Sequence, residues 1–446
     1  MKYIKFKGLG ILRSKPVVTA GIVLSFFFTS GFLAQCTKNP LSTIPVIPGA
    51  QGFGTLTPAG RGGHIVTVST LNDGGPGSLR AALAYPGPRV VVFEVGGAIN
   101  LHSNLEITSP YVTVAGQTAP PPGIMLRGGG MIINTHDVLL QHLVIRPGPE
   151  APDPLTDGIS IHDSRGWNVV LDHLSLQWAP DEQISTWIGS HDITVSNCII
   201  AEGFGEQHGM LIGDGTRNVM VVGNLFAHNG DRSPAQKGGT SVVYVNNLVY
   251  NPGGWEHYYL ADNGYDDPDG DGFSGPLLAA VVGNLFIDGR SSPNIYTGIG
   301  VARVHPDSKV FQANNLRFIG QTFSSKTPET SVDMPLIDFS GYRVEWDLGQ
   351  VFSSVLQLAG ARPIQRDAVD ERIVAEVASG GGAVPGSAPV FPVYPESYRE
   401  FIVPADPHGD SNKNGYTNLE EVLHQMAVEV EQSNYSQAGD MPKVGY

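Results

Sequence analysis

Asn168-Val-Val-Leu-Asp-His-Leu-Ser-Leu176, Asp192-Ile-Thr-Val-Ser-Asn-Cys-Ile-Ile200, Asn218-Val-Met-Val-Val-Gly-Asn-Leu-Phe226 and Ser241-Val-Val-Tyr-Val-Asn-Asn-Leu-Val249 are four copies of one pattern. Each is a short β-branched run, a polar kink and a second apolar run. The copies return every ~23–27 residues, a period that signals a solenoid. No copy is long enough to bury its own apolar face, so each must stack on its neighbours. Several short strands in a coil of that length predict an all-β chain, a parallel β-helix. Asn197, Asn224, Asn247, Asn284 and Asn315 read as one row at the kink, in the left-handed conformation that asparagine tolerates. Their side-chain amides are expected to hydrogen-bond from coil to coil.

The pattern extends both ways. His64–Val68 alternates as a strand, and Arg89–Val95, Tyr111–Val114 and Val138–Ile145 read as the first coils. Between them, Ser78 is an N-cap for a short helix, Leu79 to Ala84, suited to cover the open end. The last coils run through Val281–Ile287 and Val310–Phe318. Gln321 to Ser340 has loop composition. Arg366 to Ser379 reads as a helix with Val369, Ile373 and Val377 on one face, ended by Gly380-Gly-Gly382. Asp267-Pro-Asp-Gly-Asp-Gly272 lacks a closing Glu and reads as a solvated insertion.

The first 36 residues read as an export signal, with a basic start (Lys2, Lys5, Lys7, Arg13, Lys15) and an uncharged apolar run, Val17 to Leu33, short for a membrane span. The run ends at Leu33-Ala-Gln-Cys36. This is similar to a bacterial lipoprotein signal with Cys36 as the lipid-bearing residue, although Gln35 stands where that pattern has a small residue. The alternatives are an uncleaved anchor and simple secretion, so the protein is expected outside the cell or as a surface or periplasmic lipoprotein. The organisation follows: 1–36 signal, 37–48 tether, 49–320 β-helix, 321–405 a covering segment with a helix, 406–430 a loop and helix. The second cysteine, Cys198, lies in an apolar strand and reads as a buried small hydrophobe without a disulfide partner.

Of 446 residues, 27 are Lys or Arg and 42 Asp or Glu, a net charge of −15. That excess argues against nucleic acid as a partner and suits hard cations such as calcium. Gly 56 and Pro 33 imply many turns. The chain is expected to be a monomer.

Gly52-Phe-Gly54, Gly60-Arg-Gly-Gly63, Gly77-Ser-Leu-Arg80, Ala115-Gly-Gln-Thr-Ala-Pro120, Arg146-Pro-Gly148 and Val170-Leu-Asp-His173, in that order, resemble the bacterial pectate lyase family. The likeness runs from about Ala50 to Asn315, and Arg366-Asp-Ala-Val-Asp-Glu-Arg372 resembles the family's C-terminal segment. The resemblance implies a right-handed parallel β-helix, cleavage of polygalacturonate by β-elimination and a requirement for calcium. Such an elimination needs a neutralised uronate carboxylate, a base for the proton on carbon five, and positive charge beside the enolate-like transition state. Calcium also lets an acidic protein hold an acidic polymer.

By position, Asp157 and Asp181 match two of the family's acidic calcium ligands. The third position holds Ser185, and Glu182 is the residue that can substitute. Arg232, in Asp231-Arg-Ser-Pro234, matches the arginine that abstracts the proton; a guanidinium works so only if desolvation or nearby cations lower its pKa. Lys237 stands at the substrate-binding arginine, and His208 where the family often has a lysine. Glu202 is a lesser candidate. Asp172 and His173 resemble structural residues close to the groove. Asp410-Ser-Asn-Lys-Asn-Gly-Tyr-Thr-Asn-Leu-Glu-Glu421 fits a calcium-loop pattern, with Asp410, Asn412, Asn414, Tyr416 and Glu421 as ligands; a metal-free turn capping a helix is the alternative. Two other functions fit the scaffold: a pectin-directed glycoside hydrolase, which needs carboxylates at hydrolytic spacing, and a non-catalytic glycan-binding surface protein.

Overall fold

Val169, Val170, Leu171 and Asp172 stand in parallel register with Val138, Leu139, Leu140 and Gln141 on one side and with Ile193, Thr194, Val195 and Ser196 on the other. This pairing repeats along the chain in a computed structural model that describes residues 44–432 apart from 255, 262–274, 293–296, 303, 319–330, 334, 339–341 and 388. The apolar signal with Cys36, the stretch 267–272 and much of the 321–340 loop lie outside the described residues.

One coil shows the plan. Trp167–Asp172 joins the first sheet, Ser175–Gln177 the second and Glu182–Thr186 the third; His191–Ser196 then returns to the first, beside Trp167–Asp172. Repetition gives sheets of eleven, ten and eight strands among the described residues. The parallel crossovers wind right-handed, the hand that twisted strands favour, and the molecule is a right-handed parallel β-helix. Alternate residues point inward. Val169, Leu171, Leu176 and Ile184 are fully buried in one continuous core that runs the length of the described coils.

The helix α1 (Leu79–Leu83) starts at Ser78, whose hydroxyl accepts from the Ala81 N–H. Its Leu79 and Leu83 join the same core as Val68 and Phe93, so it closes the end of the cylinder. Three further helices come from the C-terminal part: α2 (Leu348–Leu358), α3 (Ala368–Ser379) and α4 (Asn418–Glu431). The pattern reading contains no equivalent of α2. Val351, Val355, Val369, Ile373 and Val377 of α2 and α3 cover the outer face of the ten-stranded sheet at Ile199, Leu225, Leu248 and Tyr250. Leu419 and Leu423 of α4 cover the eleven-stranded sheet at Val90, Val92 and Ala115. No described helix is long and apolar enough to cross a membrane.

The asparagine row differs from the sequence reading by one position at one coil. Asn224, Asn247, Asn284 and Asn315 form a ladder, each donating its side-chain amide to the next side-chain oxygen at 3.0, 3.1 and 2.9 Å. Asn197 is not a rung. Ser196 pairs with Val222, which aligns Asn197 with Gly223 and Cys198 with Asn224; the buried Cys198 ends the row, its N–H donating to Asn224. The left-handed residue is the one before each rung: His142, His173, Asn197, Gly223, Asn246, Gly283 and Asn314 all have φ between 49° and 69°. The bend and the hydrogen-bonding rung are therefore neighbouring positions with different demands.

Candidate active site

The third sheet collects acidic side chains at its leading corner. Asp157 lies in the bend before Ile159–Ile161, and Asp181 in the bend before Glu182–Thr186. Ile159 pairs with Ile184, so the bends stack. Two backbone bonds fix them: the Gly158 N–H donates to the Glu182 carbonyl (2.9 Å) and the Asp181 N–H to the Thr156 carbonyl (3.3 Å). The next coil sets His208 beside Glu182, and the coil after it sets Asp231 beside His208, followed by Arg232. A Cβ at Gly209 would stand 2.5 Å from the Arg232 carbonyl oxygen, so the coils approach this closely only at glycine.

The structure thus brings Asp157, Asp181, Glu182, His208 and Arg232 together. The Asp181 carboxylate accepts from His208 Nδ1 at 3.1 Å, and this bond holds its pKa low. Glu182 is buried, and its Oε1 lies 3.6 Å from the same nitrogen and in an ion pair with Arg232 Nη1. Burial, with Asp157 and Asp181 beside it, pushes Glu182 up to about 9. Burial likewise raises Asp157, although the Ser185 hydroxyl and the Glu182 N–H (3.1 Å) both donate to it. Three carboxylates therefore face one guanidinium and one imidazole, and two of them resist ionising. A site of oxygen donors short of positive charge fits a hard divalent cation such as calcium. Ser185, standing where a third aspartate was sought, holds Asp157 in place and shares a 2.8 Å bond with Ser160 of the coil before.

The other candidates lie elsewhere. Lys237 follows the strand Ala235–Gln236; its N–H donates to the Ile212 carbonyl at 2.9 Å, and among the described residues its ammonium makes no hydrogen bond or ion pair with the acidic cluster. Glu202 accepts from the Trp178 indole (3.0 Å) and from Arg372 of α3 (2.7 and 2.8 Å), which makes it an anchor for that helix. Asp172 and His173 do not border this groove. They end a strand of the eleven-stranded sheet, at the corner leading to the ten-stranded sheet, whereas the cluster occupies the next corner.

Asp410 accepts from the N–H groups of Asn414 (3.2 Å) and Gly415 (2.9 Å). Asn412 and Asn414 turn their amides to Glu421 at 3.3 and 2.6 Å, and the Tyr416 N–H donates to Asn414 (3.0 Å). The loop leads into α4 through a capping box of Thr417 and Glu420.

Sequence reasoning gave no role to Arg146. It is fully buried between Asp367 and Asp370 of the α3 start, with the Trp178 ring 5.2 Å away, and it clamps the C-terminal segment to the coils. A fully buried arginine demands such partners. Its signals were an Arg closing an apolar strand and its place in the Arg146-Pro-Gly148 motif, neither of which names its partners.

No family model matches the chain. A probable pectate lyase C of Aspergillus terreus is 33% identical over 357 residues, 77% of this chain and 79% of that protein. A probable pectate lyase C of Aspergillus flavus is 34% identical over 355 residues, 76% and 78% of the two chains. The crystal structure of Jun a 1, the major allergen from cedar pollen, shares the fold with a TM-score of 0.55 at 21% identity, covering 69% of this chain and 92% of that one. These two relatives are fungal, so the narrower bacterial grouping suggested by the motifs is not supported. With a third of its residues shared over most of both chains, the protein belongs to the pectate lyase family of polysaccharide lyases.

Proposed function

We propose that this lyase opens polygalacturonate by calcium-assisted β-elimination, with Asp157, Asp181 and Glu182 holding the cation and Arg232 removing the proton on carbon five. The observation that carries this reading is the ion pair of Arg232 with Glu182 inside a cluster of three carboxylates. Calcium bound there would neutralise the uronate carboxylate and so acidify the adjacent C–H. The chain's own residues do the rest. Ser185 and the Glu182 N–H fix Asp157. His208 holds Asp181 through Nδ1 and offers its ring to a uronate carboxylate. A Glu182 carboxylate engaged by a cation no longer pairs with Arg232, and the cation's charge would favour the neutral guanidine that takes the carbon-five proton as the bond from carbon four to the glycosidic oxygen breaks. Lys237, half-buried just after the strand Ala235–Gln236, supplies a second cationic contact for the polymer.

The loop Asp410–Glu421 is proposed as a stabilising calcium site remote from the groove. The N-terminal segment supports export, with Cys36 as the residue that would carry lipid.

One assay tests the reaction. Polygalacturonate incubated with the full chain and calcium should yield unsaturated, ultraviolet-absorbing oligosaccharides, and chelator should stop their formation. Saturated products with new reducing ends would instead mark a hydrolase, and polymer bound without cleavage a glycan-binding protein.

A further inference from the structure

At the corner between the eleven- and ten-stranded sheets, three side chains outside the groove converge. One ring nitrogen of His142, one of His173 and one carboxylate oxygen of Glu431 all lie within 4.8 Å of one another. His142 and His173 occupy the same bend on successive coils, with rings stacked 5.2 Å apart. Glu431 is the last residue of α4. Both imidazoles are more than nine-tenths buried, and each keeps an Nε2 without a hydrogen-bond partner.

The second nitrogen of each ring is already committed. His142 Nδ1 lies 2.7 Å from the Ala361 carbonyl oxygen. A carbonyl only accepts, so Nδ1 carries the hydrogen and the neutral ring keeps its lone pair on Nε2. That nitrogen faces Glu431 Oε1 at 3.3 Å. His173 Nδ1 lies 2.8 Å from Asp172 and 3.7 Å from Glu431 Oε1. Asp172 also accepts from Ser196 (2.7 Å), Gln141 (3.1 Å) and Asn197 (3.2 Å), so it is saturated with donors and acts as an acceptor toward the ring. Imidazoles oriented through one N–H by a carboxylate or a backbone carbonyl, with the other nitrogen bare, are the usual surroundings of metal-bound histidines.

We propose that His142, His173 and Glu431 form a site for a divalent transition-metal ion of the zinc class. Two imidazole nitrogens and one carboxylate suit such an ion better than calcium, which takes oxygen. Tetrahedral bonds of about 2.0–2.2 Å place neighbouring donor atoms about 3.3 Å apart, and His142 Nε2 and Glu431 Oε1 are separated by 3.3 Å. A fourth position would open on the adjacent cavity of about 290 Å³, which His173, Asp172, Ser196, Asn197, Tyr342 and Glu431 line. The ion would tie the end of α4 to the coils, on a corner that takes no part in the lyase reaction.

The test is titration of the untagged full chain with zinc, and with cobalt as a spectroscopic probe, in excess calcium so that oxygen sites stay filled. One ion per chain should bind, cobalt should show the visible absorption of four-coordinate geometry, and zinc should raise the melting temperature. Glu431→Gln and His142→Gln should each weaken binding at least about 100-fold while lyase activity in calcium is unchanged. Binding that survives both substitutions, or no zinc binding by a folded wild-type chain, overturns the site. If His142→Gln does not fold, Glu431→Gln decides alone. A lower melting temperature in Glu431→Gln without any zinc effect would identify a buried ion pair instead.

Discussion

Arg232 reaches back over two coils to ion-pair with the buried carboxylate of Glu182. The residue proposed as base and a residue proposed as cation ligand thus hold each other in the groove. Either role excludes the other partner, which ties cation binding to release of the guanidinium.

Arg232→Ala should lower kcat by about 10²–10⁴-fold, the range for loss of a positioned proton-transfer group. Arg232 is about a third exposed, so the melting temperature in calcium should hardly move. Formation of the unsaturated product, followed in the ultraviolet, reads the loss.

Glu182→Gln keeps the shape and removes a carboxyl that burial and its two acidic neighbours keep reluctant to ionise. The calcium concentration for half-maximal activity should rise at least about tenfold, since affinity follows ligand charge. An unchanged calcium requirement would remove Glu182 from the ligand set.

The rung and bend positions should respond differently. Asn224→Gly deletes a rung, orphaning the buried Cys198 N–H and the Val195 carbonyl, and should cost about 2–5 kcal/mol in urea unfolding. Asn197→Gly keeps the left-handed bend that Gly223 already makes one coil on, losing one bond to Asp172; about 1 kcal/mol is expected.

His228 gives the fold an acid limit. Burial depresses its pKa to about 4; Glu202 opposes this and Arg372 reinforces it. Its Nδ1 accepts from the Asn251 amide at 2.8 Å and Glu376 faces Nε2 at 3.3 Å. The folded value lies below the unfolded one, so the contribution is complete above about pH 6.5 and is lost as pH falls toward 4. Between pH 7 and 4.5 this amounts to about 2–3 kcal/mol. His228→Gln should flatten that part of the stability–pH profile, measured by urea unfolding.

Asp410→Ala should abolish the part of the calcium-dependent rise in melting temperature that comes from the C-terminal loop, and leave kcat at saturating calcium unchanged. Full retention of the rise would make the loop a metal-free cap.

The coils were legible because their information is local and repeated: β-branched runs at a fixed spacing needed no knowledge of distant residues. The ladder was misplaced at Asn197 because asparagine serves both the bend and the rung, and only register separates them. In the groove, Asp157, Asp181, Glu182, His208 and Arg232 stack because coil spacing carried them to one corner. Lys237, five residues past Arg232, sits beyond the bend and away from the cluster. What lay beyond reading were pairings with the C-terminal helices, Arg146 with Asp367 and Glu202 with Arg372, where no period links the partners. The helix α2 hid behind Ser353 and Ser354, weak helix formers that its burial of Val351 and Val355 overrides.

The seat of α4 sets an order on folding. Glu420 ion-pairs with Arg61 at 2.8 Å, Leu423 accepts from Gln117, and Leu419 lies over Val90 and Val92. A chain leaving the ribosome can wind its early coils as they emerge, since each touches only its neighbours. The outer face of those first coils nevertheless stays bare and apolar until Leu419 and Leu423 have emerged. Nascent chains of this protein therefore carry an unfinished surface on their first coils until α4 is made, and truncation before Leu419 leaves it uncovered for good.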